Sequence, residues 1–352
     1  MELISRINSR VLERPLRITF STALGAKDAI RSVLVRVSLQ GGIEGNGEIP
    51  TSFAFPHESV PAILRTLRSV APEVKGVPID DYPEVIDRLR ARHPLSPMTM
   101  SGLEVALFRC WLQARGVGEL EYWGGRSSVC RTDITIPFTS DRERLRKWMN
   151  AAIRSNFVEF KVKTSGACDR DFPFLDFVYG VLQERCGRFR VRLDGNQGYD
   201  ESSFLRLMDW CALRRYAVEL VEQPLPRGDH RGLKRIRNRT DTPVLLDESI
   251  VTAFDLERAL DAQACDGVNI KIAKSGIAES RRIMKLAQES GQKLMIGCMM
   301  ETMTGLSAAI RMASGSGGFD FIDLDSVHFL FHRKNSAGIG LRGPEYHLPA
   351  RS

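Results

Sequence analysis

From about residue 130 onward, short apolar runs alternate along the chain with amphipathic stretches of helical length. Runs rich in Val, Ile and Leu that alternate with helical patterns are typical of βα units around a parallel sheet. The pattern predicts strands at residues 133–138, 159–164, 189–196, 218–223, 243–248, 267–273, 294–298 and 321–325. It predicts intervening helices that include residues 142–155, 172–184, 201–214, 253–261 and 278–290. These eight strands, at this spacing, favour a (β/α)₈-type barrel over an open sheet.

The first 125 residues follow a different pattern. Residues 31–39 and 43–49 flank a Gly-Gly turn and predict a hairpin, and the periodicity of residues 58–70, 82–92 and 99–114 predicts three helices. We therefore expect an α+β domain over residues 1–125 and a barrel over residues 126–325. Residues 326–352 contain no further βα unit, and we expect them to return to the first domain.

The composition narrows the class of protein. The chain has 352 residues, of which 43% are hydrophobic and 26% are charged, values typical of a folded globular protein. Because it has no apolar run of the length that these need, we expect neither a membrane-spanning segment nor an export signal, and its seven scattered cysteines suit the reducing cytoplasm. The net charge of +7 is spread along the chain without a nucleic-acid-binding motif, so we expect no nucleic-acid partner.

Charged residues recur at the carboxyl ends of the predicted strands, and each follows an apolar residue. They are Lys163, Asp194, Glu222, Asp247, Lys271, Asp323 and Asp325. Successive side chains of a strand point to opposite faces, so we expect the charged set to point into the barrel and the apolar neighbours to pack against the helices. Barrel enzymes have their active sites at this end of the strands. The pattern therefore predicts an active site.

The order of the strands adds geometry to this prediction. Asp194, Glu222 and Asp247 end strands three, four and five, and converging carboxylates repel one another unless a cation binds between them. Ligation by oxygen alone favours Mg²⁺, with Mn²⁺ as the alternative. Lys163 and Lys271 end strands two and six, half a barrel apart. Two such lysines can remove a proton from one face of a carbon and return one to the other face.

With Lys161-Val162-Lys163, the three carboxylates and Asn269-Ile270-Lys271, the chain resembles the enolase superfamily, and within it the muconate-lactonizing subgroup. The resemblance covers nearly the whole length. It implies a modified (β/α)₇β barrel with an α+β capping domain. It also implies one Mg²⁺ per active site on the three carboxylates, Lys163 and Lys271 as the acid–base pair, and Lys161 as a substrate-binding residue.

Two further segments, Ile296-Gly297-Cys298-Met299-Met300-Glu301 and Asp323-Leu324-Asp325, are similar to motifs of dipeptide epimerases. This similarity implies epimerisation at the α-carbon of a dipeptide's C-terminal residue, with Asp323 and Asp325 binding the substrate's ammonium group. The other substrate-binding residues that we expect are Thr22, Gly25, Thr135, Cys298 and Met299. Gly25 stands where relatives that prefer a C-terminal Glu often have a basic residue, and Lys27 follows two positions later.

Other functions remain open. N-acyl amino acid racemases, o-succinylbenzoate synthases and cycloisomerases of the same subgroup share the metal and the lysines. Asp323 and Asp325 favour a dipeptide, because a neutral acyl amide would leave both acids without a partner. A non-catalytic binding barrel is a remote alternative, since binding alone needs no base on each face. The sequence leaves open the side chain of the dipeptide, the preferred metal and the oligomeric state, and a homo-oligomer is compatible with it.

Overall fold

The amino-terminal part of the chain forms an antiparallel sheet with helices packed against it. The computed structural model describes residues 2–331 and 337–349. The sheet consists of β1 (Ile4–Thr22), β2 (Gly25–Leu39) and β3 (Glu44–Pro50). The helices are α1 (Val60–Val74), α2 (Tyr82–Arg92), α3 (Pro97–Ala114) and the short α4 (Glu119–Tyr122), with a 3₁₀ turn at Ile79–Asp81. The α+β character expected for this capping part is confirmed.

The sequence pattern does not predict β1, so the expected two-stranded hairpin is in fact a three-stranded sheet. Pro15 lies within β1, and a proline normally argues against a strand because it donates no ladder hydrogen bond. The register between β1 and β2 shifts between Pro15 and Phe20. The proline therefore lies where the ladder becomes irregular, a place at which a strand tolerates it.

The remainder of the chain forms the barrel. Its strands, after the short β4 (Val129–Arg131), are β5 (Ile134–Ile136), β6 (Glu159–Lys163), β7 (Arg190–Asp194), β8 (Leu220–Glu222), β9 (Val244–Leu246), β10 (Gly267–Ile270), β11 (Lys293–Gly297) and β12 (Phe321–Asp323). Its helices are α5 (Arg142–Arg154), α6 (Cys168–Arg185), α7 (Glu201–Leu213), α8 (His230–Arg237), α9 (Ala253–Asp261), α10 (Ile272–Glu289) and α11 (Met303–Ser316). None of the helices in the described part of the chain has the length and apolar character needed to span a membrane.

Strands β5 to β12 are hydrogen-bonded in chain order, and the ladders between them are parallel. The first and last strands also meet, because the amide of Asp133 donates to the carbonyl of Ile322 at 3.2 Å. Close by, the amide of Leu324 donates to Thr132 Oγ1 at 2.7 Å. The predicted modified barrel with a capping domain is therefore confirmed.

The interior of the barrel is filled in two layers. Leu220, Leu245 and Met295 form a small apolar cluster with Phe321, separate from the main core. Above Phe321 lies the guanidinium of Arg192, 5.0 Å from the ring centre, which forms ion pairs with Asp133, Glu159 and Glu219. Leu220, Leu245 and Phe321 have the same strand parity as the charged residues two positions further along, Glu222, Asp247 and Asp323. The barrel is thus closed below its mouth.

Two glutamates of the amino-terminal part accept hydrogen bonds from backbone amides of barrel helices. Glu48 on β3 accepts hydrogen bonds from the amides of Thr302 and Gly305 at the start of α11. Glu104 on α3 accepts one from the amide of Ala278 in α10, at 2.8 Å. Carboxylates are favourable at helix amino termini because the amides there have no partner within the helix. The capping sheet and its helices are therefore joined to the barrel by polar contacts at defined helix ends.

The carboxyl-terminal segment contacts both parts of the chain. Leu330 forms a β-bridge with Leu16 of β1. Further along, β13 (Gly340–Arg342) and β14 (Glu345–His347) form a small sheet with β4. Residues 332–336 and 350–352 of this segment lie outside the described part. Leu330 thus contacts β1 of the cap, whereas the later strands pair with the start of the barrel. The return of residues 326–352 to the cap and the boundaries at residues 125 and 325 stay predictions.

Candidate active site

The charged residues at the strand ends meet at the mouth of the barrel. In the strand ladders Lys163 pairs with Asp194, and Asp194 pairs with Glu222. Asp247 and Lys271 directly follow β9 and β10. All five side chains are buried. Their apolar neighbours of opposite parity belong to the main core, so the structure brings the charged residues together as the strand parity predicts.

Lys161 lies at the centre of this cluster. Its ammonium nitrogen is 2.9 Å from Asp194 Oδ2, 2.7 Å from Glu222 Oε2 and 2.7 Å from Asp323 Oδ2. Burial acts to lower the pKa of Lys161, but the attraction of these carboxylates, Asp194 foremost, outweighs it and raises the pKa. Lys161 is therefore a cation that holds together the carboxylates of three strands.

Lys163 and Lys271 lie on opposite sides of the mouth, because three strands separate β6 from β10 in the sheet. The Nζ atom of Lys163 is 2.5 Å from Asp194 Oδ2, and that of Lys271 is 2.7 Å from Asp247 Oδ2. Burial acts to lower the pKa of Lys271, but the adjacent Asp247 carboxylate is the main contribution that raises it. Each lysine is thus held on a carboxylate.

The chemistry of Asp194, Glu222 and Asp247 fits a divalent cation. They offer only carboxylate oxygens, and their side chains are almost completely inaccessible to solvent. Burying three anions side by side is costly unless cations compensate them. The lysines provide this compensation in the arrangement described, and oxygen ligands of this kind suit Mg²⁺ or Mn²⁺. These three residues are therefore suited to hold the metal.

A second group of three carboxylates lies beside the first. Oxygens of Asp133, Asp323 and Asp325 all lie within 4.8 Å of one another. Asp133 is 2.8 Å from Arg192, and Asp323 contacts Lys161, so two members already have a cationic partner. This group is also chemically able to hold a divalent ion. Asp133 is not among the residues that the strand pattern singles out, and its one signal is that it has the same parity as Thr135 of β5.

The cavity at the mouth is lined by most of the residues that the sequence assigns to the substrate. These residues are Lys161, Asp323, Asp325, Thr135, Cys298, Met299 and Thr22. The expected acid–base pair Lys163 and Lys271 and the carboxylate of Asp247 line the same cavity. Gly25 is set back from this lining. A Cβ atom on Gly25 would lie 3.0 Å from the ring of Phe53, which does line the cavity. Gly25 therefore leaves room for Phe53.

Asp325 is held by the backbone rather than by a lysine. The amide of Thr135 donates to Asp325 Oδ2 at 2.6 Å, and the carbonyl of Thr135 accepts a hydrogen bond from Trp148 Nε1 at 3.0 Å. Burial, assisted by the charge of Asp323, raises the pKa of Asp325 to about 7. Burial also raises the pKa of the Cys298 thiol, which lines the same cavity.

The capping sheet supplies a further cation to the cavity. Lys27 on β2 is half-buried, donates to the carbonyl of Thr51 at 2.9 Å and lies 5.3 Å from the ring centre of Phe53. Burial lowers the pKa of Lys27 to about 8. No carboxylate of residues 2–331 or 337–349 lies within ion-pair distance of it. The cavity therefore contains an ammonium group without an anionic partner from the described chain.

Residues 144–351 match the sequence profile of the enolase C-terminal domain-like family, and this match covers more than half of the chain. The chain belongs to the enolase superfamily. Its similarity to individual members extends over the capping part as well. The L-Ala-D/L-Glu epimerase of Thermotoga maritima is 31% identical over 317 residues, which are 89% of this chain and 88% of that protein.

Solved structures of superfamily members have the same fold. A substrate-liganded L-Ala-D/L-Glu epimerase from Bacillus subtilis has a TM-score of 0.90 at 27% identity, covering 99% of this chain and 96% of that one. A dipeptide epimerase from Methylococcus capsulatus, complexed with Mg and L-Arg-D-Lys, has a TM-score of 0.86 at 27% identity. This alignment covers 99% of this chain and 98% of that one. The first relative is named for a dipeptide that ends in an acidic residue, whereas the second is complexed with a dipeptide that ends in a basic residue.

Three further buried side chains of this site are not among the residues that the strand pattern singles out. Asn196 and Glu248 line the cavity, and Asn196 Nδ2 donates to Glu248 Oε1 at 3.1 Å. Lys274 is 2.6 Å from Asp247 Oδ1. Each lies within three residues of a strand-end residue that the sequence did single out. Their signal was proximity alone, because they come after the strand, where side-chain alternation no longer predicts direction.

Proposed function

We propose that the protein is a dipeptide epimerase that transfers a proton at the α-carbon of the C-terminal residue. The observation that carries this proposal is the placement of Lys163 and Lys271 on β6 and β10, on opposite sides of a cavity, with carboxylates on the three strands between them. A racemising or epimerising reaction needs a base on each face of the carbon. Binding of a ligand without reaction needs no base on either face.

In this proposal Asp194, Glu222 and Asp247 hold a divalent cation. The bound cation would polarise the substrate's carboxylate and so make the adjacent α-proton more acidic. The neighbouring triad of Asp133, Asp323 and Asp325 is the competing location for the ion. We favour the first triad because its three carboxylates lie on the strands between Lys163 and Lys271, as the resemblance to the superfamily implies.

The two end lysines move the proton. Lys163 removes the α-proton of one epimer, and Lys271 delivers a proton to the opposite face, with the roles exchanged for the other epimer. Each lysine now contacts a carboxylate of the first triad, so occupation of that carboxylate by another cation would free the lysine for the substrate. Lys161, which touches carboxylates of three strands, would stabilise the negative charge that develops on the substrate.

Asp325 and Asp323 would bind the ammonium group at the amino end of the dipeptide. Both line the cavity and are buried, so a charged hydrogen bond to either is worth about 1.5–3 kcal/mol. The Thr135 amide fixes the direction of the Asp325 carboxylate. Asp325 is the better placed of the two, since Asp323 is shared with Lys161.

Lys27 supports an acidic side chain on the C-terminal residue. Its ammonium lines the cavity without an anionic partner in the described chain, and a carboxylate on the substrate would compensate it. A glutamate or aspartate side chain offers that group. Lys27 would thus serve in place of the basic residue that dipeptide epimerases with a preference for a C-terminal Glu often have at the position of Gly25.

One observation favours a second candidate function within the same subgroup. The ion pair between Asp323 and Lys161 occupies part of the proposed ammonium site. An N-acyl amino acid racemase has no ammonium to bind and would use the same lysines and carboxylates. o-Succinylbenzoate synthase, cycloisomerase and non-catalytic binding stay as alternatives with no such observation in their favour.

The test is a screen of dipeptide mixtures for α-deuterium uptake in D₂O with Mg²⁺ present, read by mass spectrometry. We expect uptake into dipeptides with a free amino group, and uptake should be lost when Lys163 and Lys271 are both replaced by alanine. Uptake only into N-acylated amino acids would support the second candidate. An absence of uptake from every dipeptide and N-acyl amino acid would refute both.

A further inference from the structure

Lys274 is a buried lysine that the proposed reaction does not use. It is 0% exposed, and its ammonium donates to the backbone carbonyl of Asp247 and to Asp247 Oδ1, the latter at 2.6 Å. Among the described residues, those that line the cavity include Asp247 and Lys271 but not Lys274. Lys274 therefore lies behind Asp247 and cannot touch a substrate.

Asp247 has a different lysine on each of its two oxygens. Lys274 holds Oδ1, whereas Lys271 is 2.7 Å from Oδ2. If Lys271 leaves Asp247 to act on a substrate, Oδ1 keeps its cationic partner. The cation proposed for the first triad can compensate the charge of Asp247, but without Lys274 the buried Oδ1 would still lose its hydrogen-bond donor, which is unfavourable.

The backbone fixes the position of Lys274. The amides of Lys274 and Ser275 both donate to the carbonyl of Lys271 at 3.0 Å, so the two lysines share one tight turn. This turn ends at Gly276, whose φ of 76° is unfavourable for other residues. A Cβ atom at Gly276 would lie 2.0 Å from Glu104 Oε2 of the capping part. Glu104 of the capping part therefore packs directly against the end of the turn that carries Lys274.

We infer that Lys274 is a positioning residue: it holds Asp247 from the side away from the cavity, so that Lys271 is able to exchange Asp247 for the substrate. This inference rests on the proposed function, because it takes Lys271 to be one of two bases. The inference concerns only the face of the substrate that Lys271 serves, because Lys163 has Asp194 as its partner and lies four strands away. Loss of Lys274 should therefore impair one face of the reaction and spare the other.

The experiment compares Lys274→Met with Lys285→Met, a matched change at an exposed lysine of the same helix. Each pure epimer of an active dipeptide is incubated in D₂O, and initial α-deuterium uptake is followed by proton NMR. The Lys163→Ala and Lys271→Ala variants first identify which epimer each lysine deprotonates. We expect Lys274→Met to slow uptake by about tenfold or more from the Lys271 epimer, and by less than about twofold from the Lys163 epimer. Lys285→Met should match the wild type.

Equal slowing of both epimers, or no slowing, would overturn the inference, because a general structural defect acts on both faces. Lys274→Arg, which keeps the charge, should restore uptake from the Lys271 epimer at least in part. Failure of this inference is distinguishable from failure of the proposed function, because in the latter case the wild type itself would take up no deuterium.

A second measurement needs no variant. In a crystal structure of the wild type with Mg²⁺ and a dipeptide, Lys274 Nζ should remain within hydrogen-bond distance of Asp247 Oδ1 while Lys271 Nζ has left Asp247. A complex in which Lys274 has turned away from Asp247, or in which Lys271 still contacts it, would also overturn the inference.

Discussion

The ammonium of Lys161 on β6 lies 2.7 Å from Asp323 Oδ2 on β12, and this contact joins the second and eighth strands of the barrel across its mouth. Both side chains are buried. The contact gives the two acids of the Asp323-Leu324-Asp325 motif different surroundings. Among the described residues, Asp323 has a lysine partner, whereas Asp325 has a backbone amide.

This difference predicts unequal roles for the two acids. Asp325→Asn should lower kcat/KM for a free dipeptide by about 10–100-fold, the equivalent of one charged hydrogen bond. N-acetylation of the substrate should cause a similar loss in the wild type and little further loss in the variant. Steady-state kinetics with both substrates measures this. A wild type that turns over the free and the N-acetylated substrate equally well would instead point to an N-acyl amino acid racemase.

The opposed lysines predict a split of two activities. Lys163→Ala and Lys271→Ala should each lose epimerisation by more than the roughly 10²–10⁴-fold usual for removal of one acid–base group, because no second group serves the vacated face. Each variant should still exchange the α-proton of one epimer with D₂O, and the two variants should retain opposite epimers. Proton NMR of the pure epimers distinguishes these outcomes. Exchange of the same epimer by both variants would contradict the two-base mechanism.

The buried carboxylates predict dependence on a divalent cation. Chelation followed by dialysis should abolish turnover, and Mg²⁺ or Mn²⁺ should restore it, since the three carboxylates supply hard oxygen ligands. Asp194→Asn should weaken the binding of Mn²⁺, as measured by electron paramagnetic resonance, more than Asp133→Asn does. The reverse order would assign the ion to the triad of Asp133, Asp323 and Asp325. Full activity in the dialysed protein would refute metal dependence.

Lys27 predicts a pH effect that depends on the substrate. Its pKa is lowered to about 8 by burial, so the ammonium is present below that pH and is lost above it. The ratio of kcat/KM for L-Ala-L-Glu to that for L-Ala-L-Gln should therefore fall as the pH rises through about 8, because kcat/KM reports the ionisation of the free enzyme. In Lys27→Met the ratio should be low at every pH. A ratio that is high and constant from about pH 6.5 to about pH 9.5 in the wild type would show that Lys27 does not bind the side chain.

The regular helices and barrel strands were predictable because their periodicity is strong. The helices at 82–92 and 253–261 have the predicted bounds. The strand β1 was not predictable, since Pro15 and a register shift disturb the alternation on which such a prediction depends. The local sequence pattern is thus enough to predict a helix or strand where one face of that element is uniformly buried.

The same limit applies to the candidate site. Side-chain alternation predicted the inward direction of Lys163, Asp194 and Lys271 because they lie in or next to strands. It carried no information on Lys274, which lies after β10 in a segment that Glu104, 170 positions earlier in the chain, contacts through the amide of Ala278. Contacts between distant segments of this kind leave no mark in the periodicity of either segment.

The helix caps that Glu48 and Glu104 provide limit how this protein can be recombined. A chimera that takes its barrel from this chain and its cap from a relative would bring foreign side chains to the first turn of α11 and to the turn of α10 that follows the break at Gly276. If the new cap lacked carboxylates at these two places, the partly buried amides there would lose their acceptors. The segment that follows Lys271 would then lose a hydrogen bond from the cap, although every strand-end residue of the barrel was retained. Exchange of specificity between relatives by swapping caps should therefore succeed only when both glutamates are carried along.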